Sequence, residues 1–167
     1  MSLLYNPETK QLLDKVTIDM PHALLLEGPV GVGLSTIARD LAWHDLAGLI
    51  QGTDNENNVD ISSKGVIRIS QIRDLIESTR SKLTKRRVYV IDEADKMSIQ
   101  AQNAFLKLLE EPNKLVSFIL TSHTPQKLLP TIISRVQRIH IKPIDQASSR
   151  NLIKNKGVND ERKQAQR

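Results

Sequence analysis

The run Gly28-Pro29-Val30-Gly31-Val32-Gly33-Leu34-Ser35-Thr36 sets three glycines ahead of a pair of hydroxyls. It follows a short apolar segment, Ala23–Glu27, and precedes an amphipathic one that opens at Ser35. A glycine-rich turn between a strand and a helix can aim backbone N–H groups at phosphate oxygens, and the helix amino end adds a dipole that favours an anion. In such a loop Ser35 stands where a hydroxyl holds Mg²⁺. The position before it normally carries a lysine, which bridges the β- and γ-phosphates and stabilises the charge developing on them. Here that position is Leu34. Leucine supplies neither charge nor donor, and at the mouth of the loop it adds only apolar surface. The shape that cradles phosphate is kept and the cation is missing.

A second group of residues belongs with the first. Val88-Tyr89-Val90-Ile91 is an apolar run that ends in Asp92-Glu93-Ala94-Asp95. A carboxylate directly after a buried strand can hold Mg²⁺ through water, and the next can polarise an attacking water. Asp92 and Glu93 occupy those places. Each segment alone has a plainer explanation, a tight turn or an acidic one. Together and in this order they point to a nucleotide-phosphate site of the P-loop type.

These residues need elements to hold them. Glu8–Thr17 carries Leu12, Leu13 and Val16 at helical spacing after Asn6-Pro7. The strands expected are Ala23–Glu27, Val59–Ser62, Val88–Ile91, Ser117–Thr121 and Val136–Ile141, with a helix over Ser35–Leu46 and a polar loop over Gly48–Asn58. Ser70 is expected to cap a helix bearing Ile72, Leu75, Ile76 and Thr79. Ser98 is expected to cap another, with Ala101, Ala104, Phe105, Leu108 and Leu109, stopped before Pro112. Strands alternating with helices make parallel β-α-β units. The fold class is therefore α/β, a five-stranded parallel sheet flanked by helices. Residues 1–144 read as the nucleotide-binding-type domain. Asp145 and then Asn159–Arg167 open further helices, so residues 145–167 read as the first piece of a second domain. The family resemblance given below implies that this is the start of a helical lid that the chain does not finish.

Composition limits the alternatives. The chain has 167 residues, 39% hydrophobic and only 3% aromatic, so its core must be aliphatic. With no cysteine it has neither disulfides nor thiolate metal sites. No apolar run approaches the ~20 residues that span a bilayer, and nothing at Met1 resembles a secretion signal. A cytoplasmic protein without membrane contact is expected. The net charge of +5 permits a polyanionic partner, but the scarcity of aromatics argues against base stacking. Lys82, Lys85, Arg86 and Arg87 read as a solvated loop before a strand, and His22, His44 and His140 as packing or surface residues.

The stretch VYVIDEADKMSIQAQNAFLKLLEEPNKLVSFILTSHTPQKLLPTIISRVQRIHI strongly resembles the bacterial clamp-loader branch of the AAA+ proteins, and so do LLLEGPVGVGLSTIARDLA and ISQIRDLIE. The similarity runs from Leu3 to Pro143. It implies a P-loop NTPase fold of the AAA+ type within a DNA polymerase III assembly. Ser134-Arg135-Val136 lies where this branch has Ser-Arg-Cys, whose arginine enters the neighbouring subunit's ATP site as a finger, so Arg135 carries that implied role. Valine in place of cysteine leaves the guanidinium available. His123 falls at the polar sensor position after the fourth strand, where Asn or Thr is usual in active members. The implied partners are gamma/tau-type ATPase subunits, a delta subunit, the sliding clamp and, through the assembly, primed DNA. The zinc module of many relatives is replaced by the Asn/Asp/Gly loop, so no zinc is expected. ATP or ADP with Mg²⁺ is at most a weak ligand, and no ATP hydrolysis is expected of this chain. An active ATPase with an atypical loop stays open beside that reading. A small-molecule P-loop kinase would need a basic lid that is not visible.

Overall fold

The most apolar segments line up side by side. The computed structural model describes residues 6–43, 45–52, 65–80 and 83–143. Its strands are β1 (Ala23–Glu27), β2 (Leu46–Ile50), β3 (Arg87–Ile91), β4 (Val116–Ser122) and β5 (Gln137–His140). They form one sheet in the order β2-β3-β4-β1-β5, and every pairing is parallel. The helices are α1 (Pro7–Ile18), α2 (Leu34–Ala42), α3 (Ile69–Arg80), α4 (Ile99–Glu110) and the short α5 (Pro130–Ile133). Because β1 lies between β4 and β5, the carboxyl ends of β3, β4 and β1 are adjacent. In open α/β sheets ligands bind outside such ends, where the strand order reverses.

Side chains alternate across the sheet and divide the core in two. Leu25, Tyr89, Ile91, Phe118 and Leu120 face a layer that includes Ile72 and Leu75 of α3, Ala101 and Phe105 of α4, and Ile132 of α5. Leu24, Leu26, Val88, Val90, Ile119 and Ile139 face Leu13 and Val16 of α1 with Ile37, Ala38 and Ala42 of α2. Strands β1 and β4 are buried along their whole length, as strands covered on both faces are. Three of the aromatics gather in one place: Phe118 meets Phe105 edge-on at 5.3 Å and stacks with Tyr89 at 6.0 Å.

Two caps match the sequence. The Asn6 and Ser98 side chains accept from the backbone N–H groups of Glu8 and Ala101, each at 3.1 Å. Helix α4 then stops at Glu110, two residues before Pro112. Ser70 does not cap α3. That helix starts at Ile69, and the Gln71 side chain accepts from the Arg68 N–H at 2.9 Å, reaching back as the third residue of a capping box does.

The second strand departs from expectation. Leu46–Ile50 forms β2, where the pattern suggested a helix end and a polar loop, and α2 stops at Ala42. The physical reason is that β2 is an edge strand with Leu46, Ala47 and Leu49 exposed, so burial leaves no alternation to read. Gly48 serves packing there, since a Cβ would stand 3.1 Å from the Tyr89 ring. Val59–Ser62, the segment expected as this strand, lies outside the described residues, as do the helices expected from Asp145 and over Asn159–Arg167. Among the described residues no helix is long and apolar enough to cross a membrane.

Candidate functional site

The glycine-rich loop joins β1 to α2 at the point where the strand order reverses. Gly31 and Gly33 both have φ of +87°, and a Cβ at either would meet nothing within 4 Å. Backbone conformation, rather than space, requires glycine at these two positions. Gly28 is needed for close approach, because a Cβ there would come within 2.7 Å of the Ile141 carbonyl oxygen. The loop is anchored from below by Glu27, the last residue of β1, whose carboxylate accepts from Arg138 Nη2 on β5 at 2.8 and 2.9 Å and from Nε at 3.2 Å. Leu34 does not line the loop mouth. It is 1% exposed and packs in the core with Leu24, Leu26 and Ile37, because the first turn of α2 lies against the sheet. Thr36 is exposed on that same turn.

Asp92 is the hub of the site. It is buried at the end of β3, where Ser35 Oγ donates to Oδ1 at 2.5 Å, Thr121 Oγ1 to Oδ1 at 2.7 Å and Gln51 Nε2 to Oδ2 at 2.8 Å. Burial by itself pushes the carboxyl pKa up. The hydrogen bonds from Ser35, Thr121 and Gln51, with the charge of Arg39, outweigh burial and hold it below its ordinary value. Thr121 also accepts from the Glu93 N–H at 2.8 Å, so one hydroxyl ties β4 to both acids. Glu93 has φ of 52°, a left-handed conformation that costs of order 1 kcal/mol outside glycine. Its carboxylate accepts from Lys96 Nζ at 2.6 Å, and that hydrogen bond, foremost, raises the lysine pKa.

His123 completes the arrangement from the end of β4. Its Nδ1 lies 2.9 Å from the carbonyl oxygen of Gly28. A carbonyl only accepts, so this nitrogen carries the proton and ties the strand to the first glycine of the loop. Asp95 accepts from Ser122 Oγ at 2.6 Å and Thr124 Oγ1 at 2.9 Å, fixing the turn after β3 against the segment after β4. Gly28, Gly31, Gly33, Ser35, Asp92, Glu93 and His123 therefore stand around one corner. Thr121 and Gln51 were missed. Thr121 carried a signal, a hydroxyl directly after the apolar run Phe118–Leu120, while Gln51 follows the strand whose position the pattern misplaced.

Arg135 takes its contacts from other elements. Its guanidinium meets Glu110 at the end of α4, with Nη2 3.2 Å from Oε1, and Nη1 donates to the Thr131 carbonyl at 2.9 Å. In the basic loop, Arg86 donates to the Met20 carbonyl at 2.9 Å, which makes it structural. Lys85 and Arg87 line a shallow recess with Asp45 and Leu46, and Lys82 lies outside the described residues. His22 bridges the carbonyls of Val116 and Leu108 at 3.0 and 2.9 Å and so belongs to packing. His140 is exposed on β5, and His44 is not among the described residues. Among the described residues no three His, Asp or Glu side chains converge as a metal site.

The family described as DNA polymerase III, delta subunit, matches residues 6–145. The tau subunit of Bacillus subtilis DNA polymerase III is 37% identical over 142 residues, which cover 74% of this chain and 25% of that protein. The delta-prime subunit of the same organism is 34% identical over 161 residues, covering 86% of this chain and 47% of that protein. The delta-prime subunit of Pseudomonas aeruginosa is 36% identical over 134 residues, 68% of this chain and 41% of its own. The chain thus spans less than half the length of these relatives. Among solved structures, a DNA polymerase III gamma subunit-related protein from Thermotoga maritima superposes with a TM-score of 0.64 at 24% identity, covering 88% of this chain and 49% of its own. The RuvB Holliday junction branch migration motor of the same organism gives 0.58 at 16% identity, over 83% and 46%. At these identities the structures show the fold, a parallel-sheet P-loop fold of the AAA+ type.

Proposed function

The chain belongs to the family described as DNA polymerase III, delta subunit, and from that membership we propose that it is a clamp-loader subunit of the delta-prime kind. In this reading it braces gamma/tau-type ATPase subunits beside a delta subunit and helps open the sliding clamp for primed DNA. Residues 145–167 begin its lid. Its own loop is a Walker A with the lysine lost, and Arg135 acts as a finger in a neighbour's ATP site. The observation that carries this reading is the contrast between the two positions. The residue in the lysine place is buried among aliphatic side chains, while the Arg135 guanidinium stands half-exposed outside its own chain's loop. A guanidinium placed in trans can supply charge that the chain cannot use on its own phosphate loop.

The residues present fit a nucleotide in part. Gly31 and Gly33 give the loop the positive φ that a phosphate-cradling turn uses, and Ser35 with Asp92 would hold Mg²⁺. A bound nucleotide would supply the phosphoryl group. The chain lacks the lysine that stabilises charge on it, and Glu93 is engaged by Lys96. The Ser35–Asp92 pair also favours a second reading, an active gamma/tau-like ATPase with an atypical loop.

The test is reconstitution of the complete protein with its ATPase subunits. Arg135→Ala is expected to lower turnover at the neighbouring site by about 10³-fold or more, the range seen for arginine fingers. Unchanged partner turnover would remove the finger role. Separately, Mg²⁺-dependent ATP turnover by this protein above an Asp92→Ala control would favour the active-ATPase reading.

A further inference from the structure

Arg135 does not wait at the surface as a free cation. One of its terminal nitrogens lies 3.2 Å from Glu110 Oε1, and the other donates to the Thr131 carbonyl at 2.9 Å and to Ser134 Oγ at 3.4 Å. Three segments of the same chain thus occupy the guanidinium: the end of α4, α5 and the turn after it. Glu110 is the last residue of α4. An acid there faces the negative end of the helix dipole, so a cation beside it relieves an unfavourable placement. Both members stay half-exposed, Arg135 at 38% and Glu110 at 52%.

We propose that Glu110 is an intramolecular guard of Arg135, an autoinhibitory contact that neutralises the guanidinium until a neighbour's nucleotide phosphate displaces it. The inference rests on the reading of Arg135 as a finger that acts in trans. Carboxylate and phosphate oxygens want the same planar fork of N–H donors, so they compete for it. A phosphate carrying more than one charge wins, provided the guard is weak. A half-exposed ion pair is weak in that sense: it holds the side chain by a factor of about two to five. While paired, Glu110 also presents a negative charge toward any incoming phosphate. Removing that charge should therefore raise finger engagement, not lower it.

The experiment uses the complete protein assembled with its ATPase subunits and reads partner ATP turnover at subsaturating ATP. Glu110→Gln, which keeps the shape and removes the charge, is expected to raise turnover about two- to five-fold at low salt. The difference is expected to vanish near about 1 M salt, where charges separated by more than ~3 Å are screened. In an Arg135→Ala background the same substitution should do nothing, since the guard has nothing to hold. Unchanged or lower turnover in Glu110→Gln overturns the proposal, and so does a gain that persists without Arg135. An equal gain from Glu111→Gln, which removes the adjacent charge and not the contact, also overturns it by tracing the effect to net charge. If Arg135→Ala itself leaves partner turnover unchanged, the finger reading fails first. If Arg135→Ala abolishes it and Glu110→Gln has no effect, only the guard fails.

Discussion

Asp92 and Arg135 are held in opposite ways. The carboxylate is 7% exposed and accepts three side-chain hydrogen bonds from α2, β4 and the residue after β2. The guanidinium is 38% exposed and meets one exposed carboxylate, one carbonyl and a distant hydroxyl. The first corner cannot rearrange without stripping partners from a buried charge, which is costly. The second can exchange its partner for another anion at little cost. One charge is built into the junction of several strands, and the other is left at the rim.

The largest expected effect tests the buried corner. Leu34→Ala removes a side chain that is 1% exposed, and a cost of about 2–5 kcal/mol in unfolding free energy by chemical denaturation is expected. A cost below about 1 kcal/mol would place Leu34 at the loop mouth after all and blur the comparison. Next comes Thr121→Val. It keeps the shape and leaves both an Asp92 oxygen and the Glu93 N–H short of a partner, for about 1–3 kcal/mol. That loss should depend on pH. The folded-state pKa of Asp92 lies below its ordinary value of 3.8, so its contribution is complete above that value and is lost as pH falls through the lower, folded-state pKa. The gap between parent and variant is therefore expected to narrow below about pH 3.8. A gap that stays constant there would mean the hydroxyl serves the Glu93 backbone alone. The smallest effect belongs to the rim: Arg135→Ala should change this chain's own stability by less than about 1 kcal/mol, whatever it does to a partner. A larger loss in thermal or chemical unfolding would make Arg135 a structural residue and dissolve the contrast.

Legibility in the sequence followed the same division. The loop glycines, Ser35 and the Asp92-Glu93 pair could be read because backbone conformation and strand-end position restrict residue type locally. Asn6 and Ser98 were legible as caps for the same reason. Strand β2 was not, because an edge strand exposes apolar side chains on the face where alternation would show polar ones. With β2 went Gln51, whose approach to Asp92 depends on where that edge lies. Thr121 could have been flagged as a buried hydroxyl, but nothing local says which acid it serves.

From its residues alone the chain determined an α/β architecture, a glycine-rich turn between a strand and a helix with leucine ahead of Ser35, and a carboxylate pair at the end of an apolar strand. These are matters of local conformation and pattern. Only the tertiary structure decided that Leu34 turns into the core, that His123 ties to Gly28, and that Arg135 rests on Glu110. Those outcomes depend on which segments the strand order β2-β3-β4-β1-β5 brings together. Contacts between residues far apart in the chain follow from packing the whole sheet, and no window of sequence contains that information.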